Sequence, residues 1–193
     1  MTVFQLILLG ASAFFAFKMY EHIQTLKDPQ ERENEPRRAD SFSTFDPKAL
    51  VQKADDAFQD GDPKKALALL NEANVKEPYN SETLFKIGYI LQEQNDNDEA
   101  LKYYKQALEV DNNNQFIHNS IASLYKQNGE FISAKMHLNA SLEIDSKNAI
   151  TYYNYGNLLV DMQRDDEAIN MYEKALEINS DFSEAKEEIE KLK

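Results

Sequence analysis

The chain has 193 residues, with 34 Asp and Glu against 21 Lys and Arg, for a net charge of −13. That excess of acid opposes the phosphate neutralisation on which nucleic-acid binding depends, and the absence of cysteine excludes disulfides, thiolate nucleophiles and zinc ribbons. Only 5 glycines and 5 prolines, set among abundant Ala, Leu, Glu and Lys, argue against a turn-rich all-β fold and for helices.

Residues 1–17 (MTVFQLILLGASAFFAF) carry no charge and are apolar around the whole helical circumference. With Lys18 able to snorkel and Tyr20 suited to the interface, residues 1–20 are expected to form one transmembrane helix. A second reading takes Ala11-Ser12-Ala13 as the cleavage site of an export signal. The lack of a basic residue before the run weighs against it, as do the phenylalanines that cleavage would leave at the new terminus. Basic residues follow the span (Lys18, Lys27, Arg32, Arg37, Arg38) and none precedes it, so the body is expected on the cytoplasmic side of a single-pass protein. The far side of the membrane is the alternative. Ser12 and Ala16 form one small-xxx-small pair through which two spans could pack in a homo-oligomer.

Residues 21–46 are expected to be a polar tether. Within it, 28–46 carries Pro29 and Pro36 and no sustained apolar period, and when extended it reaches on the order of 60 Å. Phe42 and Phe45 are expected to pack against the first helix of the body.

From Pro47 the chain divides at a period of thirty-four into 47–80, 81–114, 115–148 and 149–182, with a tail at 183–193. The eighth place of each unit holds Ala54, Gly88, Ala122 and Gly156, and the twentieth holds Ala66, Ala100, Ala134 and Ala168. The twenty-fourth holds Leu70, Tyr104, Leu138 and Tyr172, and the twenty-seventh holds Ala73, Ala107, Ser141 and Ala175. Small residues let two helix axes approach, and a bulky one fills the space beside them, so each unit is predicted to be a helical hairpin. Asp46-Pro47 and Asp62-Pro63 read as N-caps before a proline, and Gly61 and Gly129 as turns between paired helices. In the tail, Phe182, Ala185, Ile189 and Leu192 form one stripe on an otherwise charged helix, as a solenoid's end cap requires.

These patterns resemble the tetratricopeptide repeat family. The matches include Leu84-x2-Ile87-Gly88-x2-Leu91 with Ala100-x3-Tyr104-x2-Ala107, and Tyr152-x2-Tyr155-Gly156-x2-Leu159 with Ala168-x3-Tyr172-x2-Ala175. The resemblance departs at Lys53, where the family prefers an apolar residue, and no unit but the first keeps the closing proline (Pro78). The implied fold is all-α: a solenoid of four helical hairpins and a C-terminal capping helix, preceded by one N-terminal transmembrane helix.

Little in the chain points to chemistry. All five glycines are placed in the span, turns or helix contacts, leaving no phosphate-cradling loop. His22, His118 and His137 form no i, i+4 pair, and His118 reads as a partly buried structural histidine. Asp96-Asn97-Asp98 and Asp165-Asp166-Glu167 lack the central glycine and distal glutamate of a calcium loop and suit helix starts. No cofactor, metal or catalytic set is expected, and the chain reads as a binding protein rather than an enzyme.

Along each first helix, a second stripe at places two, five, nine and twelve runs beside the packing stripe, and the resemblance implies that it faces a concave groove. It carries Lys48, Val51, Asp55 and Phe58, then Glu82, Phe85, Tyr89 and Gln92. The later units contribute Phe116, Asn119, Ser123 and Lys126, then Ile150, Tyr153, Asn157 and Val160. Aromatic anchors among adaptable polar neighbours suit peptide recognition. The candidate partner-binding residues are Phe58, Phe85, Lys86, Tyr89, Phe116, Asn119, Tyr153, Asn154 and Asn157. The family's carboxylate-clamp subgroup would need a cationic set that neither register supplies: one holds Val51, Asp55, Lys86, Asn119 and Ser120, the other Phe85, Tyr89, Ser120, Ile150 and Asn154.

The expectation is a membrane-anchored adaptor or scaffold that binds an extended or helical protein segment of basic or amphipathic character. Alternatives are an assembly factor or holding chaperone of an export, pilus or cytochrome-maturation system, and a self-associating scaffold.

Overall fold

The computed structural model describes residues 46–193, which form helices joined by short turns and contain no strand. The first helices of the hairpins are α1 (Pro47–Gln59), α3 (Ser81–Glu93), α5 (Gln115–Gln127) and α7 (Ala149–Asp161). Their partners are α2 (Pro63–Lys76), α4 (Asn97–Val110), α6 (Phe131–Ile144) and α8 (Asp165–Ile178), and α9 (Ser183–Leu192) follows. Both series recur every 34 residues. Each first helix packs on its own partner, each partner packs on the next first helix, and α5 also touches α7 directly. The result is an all-α repeat solenoid whose last hairpin is covered by α9, with Ala185 and Ile189 buried.

The expected span at 1–20 and tether at 21–46, Asp46 apart, lie outside the described residues, as do Phe42 and Phe45. Among the described residues no helix is long and apolar enough to cross a membrane.

Local chemistry sets the helix ends. The side chains of Asp62, Asn80, Asn114 and Asn148 accept backbone N–H bonds at the starts of α2, α3, α5 and α7. Asp46 makes no such bond although Pro47 follows it, so that helix start rests on the proline's fixed φ rather than on the acid. The turn inside each hairpin needs one left-handed residue. Gly61 (φ 80°) and Gly129 (φ 76°) supply it in the first and third units, and Asn95 (φ 63°) and Gln163 (φ 59°) take the same place in the second and fourth.

The core is the contact between paired helices. Tyr104 and Tyr172 are fully buried and lie over Gly88 and Gly156, where an added Cβ would come within 2.7 Å of the Tyr104 ring and closer still to that of Tyr172. The other two hairpins solve the same space with Ala54 and Leu70, and with Ala122 and Leu138, all buried. Each fully buried side chain of this size contributes roughly 1.5–3 kcal/mol.

The junction of the third and fourth hairpins departs from the apolar rule. Asn119, Ser141 and Thr151 are buried together there, and Ser141 stands where the other units have alanine. The Asn119 amide nitrogen contacts Thr151 Oγ1 at 2.8 Å, Ser141 Oγ at 2.9 Å and the Gln115 carbonyl at 3.0 Å. Ser141 and Thr151 bond each other at 2.9 Å. Satisfied in this way, the polar cluster escapes the desolvation penalty of unpaired buried groups.

Candidate partner-binding groove

The first helices present neighbouring faces, and α3, α5 and α7 together line an open cavity of about 260 Å³. Phe85, Tyr89 and Gln92 line it from α3, Phe116, Asn119, Ser120 and Ser123 from α5, and Asn148, Ile150 and Asn154 from the start and body of α7. Phe116 is 55% exposed, Ile150 53% and Tyr89 43%, an unusual surface use for rings and aliphatics that sit side by side. A smaller cavity of about 80 Å³ adjoins it, sharing Ser123 and Asn154 and adding Ala122, Lys126, Leu138, Asn157 and Leu158.

Of the nine candidates read from the sequence, Phe85, Tyr89, Phe116, Asn119 and Asn154 meet in the larger cavity, and Asn157 lies in the smaller one. Phe58 stacks edge-on against Tyr89, 5.7 Å between centroids, and so extends the aromatic surface toward α1. Three candidates are placed differently from a freely presented contact. Lys86 is held between Asp55 at 2.7 Å and Glu82 at 2.9 Å. Burial opposes its charge, but the two carboxylates more than offset that and hold its pKa above the ordinary range. Asn119 is turned inward, spending its amide on the buried cluster and accepting from Asn154 at 3.2 Å. Tyr153 packs against Tyr172 and Phe182, with the Phe182 ring centroid 5.0 Å away, and belongs to the capped end.

Gln92, Ser120, Ser123, Asn148 and Ile150 complete the cavity. Gln92, Ser123 and Ile150 fall on the groove stripe, whereas Asn148 enters from a helix cap, which a stripe along the first helices does not include. A further pair of contributors comes from the core. The hydroxyl of Tyr104 donates to Gln92 Oε1 at 2.8 Å, and that of Tyr172 donates to Asn157 Oδ1 at 2.7 Å. Burial pushes both phenols well above their ordinary range, so each remains a donor. The small-large packing pattern marks these tyrosines as space-fillers, and nothing in it shows that their hydroxyls bond the amides of groove-lining residues.

Among the described residues no cluster of three side chains could hold a metal ion. His118, expected as a structural histidine, is buried and pairs with His137 at 3.0 Å.

Two adjoining stretches match models of one family, each described as Tetratricopeptide repeat: residues 81–114 and residues 115–181. No match to the chain was found among curated proteins. Among solved structures, a tetratricopeptide repeat protein from Parabacteroides merdae is 30% identical, with a TM-score of 0.64 over 76% of this chain and 59% of that one. PilF from Pseudomonas aeruginosa is 19% identical with a TM-score of 0.70 over 76% of this chain and 67% of that one, a likeness of fold. The first repeat domain of Spaghetti (RPAP3), bound to the HSP90 peptide SRMEEVD, is 25% identical with a TM-score of 0.55, covering 58% of this chain and 89% of that one.

Proposed function

Because this chain belongs to the tetratricopeptide repeat family, we propose that it is a membrane-anchored adaptor that holds a segment of a partner protein in the groove between α3, α5 and α7. Repeat solenoids of this kind are interaction scaffolds with extended concave binding surfaces, and their fold in general carries no chemistry of its own. The observation that carries the proposal is the cavity in which Tyr89, Phe116 and Ile150 stand exposed together beside neutral polar side chains. Aromatic anchors with such neighbours are the usual makings of a binding hot spot. The Spaghetti domain with its bound peptide supports the idea that a hairpin array of this fold takes a short segment.

The apolar run at 1–17 supports the anchor, and the basic residues that follow it support a cytoplasmic body. The net charge of −13 favours a partner with basic or amphipathic flanks, drawn in by a field that added salt weakens. Crosslinking from native membranes tests the groove, comparing the natural chain with Tyr89→Ala, Phe116→Ala and Ile150→Ala at exposed positions. Loss of the captured partner is the expected result, and an unchanged partner set in helical variants would refute the groove. Protease protection in intact vesicles tests the side: the body is expected to be digested where the cytoplasmic face is exposed, and a protected body would reverse the orientation.

A further inference from the structure

The ten side chains that line the larger cavity include no Asp, Glu, Lys, Arg or His, in a chain where 28% of residues are charged. The two cations at its margins are already paired, Lys86 with Asp55 and Glu82, and Lys126 with Asp161 at 3.3 Å. A charged side chain lying on these walls would give up part of its hydration and meet no counter-charge, whereas an apolar one gains by covering exposed ring and aliphatic surface.

The polar walls are held in place. The Tyr104 hydroxyl holds the Gln92 amide by its oxygen, which leaves both N–H groups and one oxygen lone pair for other partners, and the Tyr172 hydroxyl holds Asn157 in the same way. Asn154, which donates one N–H to Asn119, lies at the place the two cavities share. Amides that can both donate and accept therefore recur along the groove at Gln92, Asn154 and Asn157, a set that suits the carbonyl and N–H groups of a peptide backbone.

Building on the reading of this groove as a partner-binding face, we propose that it takes an uncharged stretch of extended polypeptide. One apolar side chain sits among Tyr89, Phe116 and Ile150, and the flanking backbone carbonyls accept from Gln92 and Asn157. Tyr104 and Tyr172 act as positioning residues: their hydroxyls hold the two amides in the donating orientation. Acidic charge elsewhere on the body steers the partner by its flanks, while the seated stretch is neutral.

A random linear peptide library selected on the full chain in lipid nanodiscs, with empty discs for counter-selection, tests this. Peptides with one apolar residue between uncharged neighbours are expected. A synthetic peptide from that set should bind about tenfold more weakly to Tyr104→Phe and to Tyr172→Phe, the effect of one misaligned hydrogen bond. Gln92→Ala and Asn157→Ala, at partly exposed positions, should reproduce that loss of affinity in protein shown to be folded, although each also leaves a buried tyrosine hydroxyl without its acceptor and lowers the melting temperature. A purely structural role for the tyrosines would lower the melting temperature and leave the affinity of folded protein unchanged, which would overturn their assignment. Selected peptides that depend on Phe116 and Ile150 but lose binding when a charged residue is neutralised would overturn the neutral-segment inference and leave the groove standing. Peptides indifferent to Phe116→Ala and Ile150→Ala would overturn both.

Discussion

His118 Nδ1 lies 3.0 Å from His137 Nδ1, across the contact between α5 and α6. His118 Nε2 faces the Asn112 carbonyl at 3.4 Å, an acceptor only, so the neutral tautomer that bonds it has its proton on Nε2 and leaves Nδ1 as an acceptor. In that tautomer His137 donates its own Nδ1–H across the 3.0 Å contact. The Tyr125 ring stacks on His137, 5.7 Å between centroids, with Lys105 Nζ 5.4 Å above that ring. The other hairpins fill the two histidine places with Leu50, Leu84 and Tyr152, and with Leu69, Tyr103 and Met171.

This pair makes stability pH-dependent. Burial first, then His118 and Lys105, push the His137 pKa down from 6.5 to about 4. The unfolded chain therefore binds a proton that the folded chain refuses between those values. The contribution to stability is complete above pH 6.5 and disappears as pH falls toward 4. His137 is partly exposed, so after screening the loss is on the order of 1 kcal/mol. Urea midpoints across this window should fall less in His118→Leu/His137→Leu than in the natural chain. An equal slope in both would exclude the pair as the cause.

The Gly88–Tyr104 and Gly156–Tyr172 contacts predict a compensated substitution. Gly88→Ala gains about 1 kcal/mol of helix propensity but forces its Cβ into a buried ring, an overpacking penalty of typically 1–3 kcal/mol. Adding Tyr104→Leu recreates the pairing of Ala54 with Leu70, so the double variant should be more stable than the sum of the single changes. A double-mutant cycle in denaturant that shows simple additivity would contradict the pairing.

Gln163 occupies the left-handed place with φ 59°, where the third hairpin has Gly129. Gln163→Gly should stabilise by about 0.5–1 kcal/mol, and Gly129→Ala should destabilise by about 1 kcal/mol although no atom lies within 4 Å of the added Cβ. Opposite shifts in melting temperature check the pair of predictions.

Asn119→Ala removes the centre of the buried polar cluster and should cost about 1–3 kcal/mol, since the remaining hydroxyls lose partners they had in place of water. Replacing the set together as Asn119→Leu/Ser141→Ala/Thr151→Val should recover most of that loss, because removing both sides of a buried hydrogen bond is nearly neutral. Denaturant titration of the single and triple variants distinguishes the two cases.

The helical repeat was legible in the chain because its causes are local or periodic. Small residues at places eight, twenty and twenty-seven, capping side chains such as Asp62 and a thirty-four-residue interval all act within one hairpin or recur identically in the next. The left-handed turn was legible at Gly61 and Gly129 but not at Asn95 and Gln163, where the hairpin turn imposes a conformation that the residue type only tolerates.

The groove was legible as a stripe and not as a site. Residue type and helical phase place Phe85, Tyr89 and Phe116 on one face, and that much needs no neighbours. What becomes of each side chain depends on others some thirty residues away: Asp55 engages Lys86, Thr151 helps draw Asn119 inward, and Phe182 covers Tyr153. The sequence alone determined that this chain folds as stacked helical hairpins, because burial of periodic apolar positions is additive along the chain. Only the stacked structure decided which polar groups face the groove and in which orientation, because hydrogen bonds are directional and their partners come from adjacent hairpins.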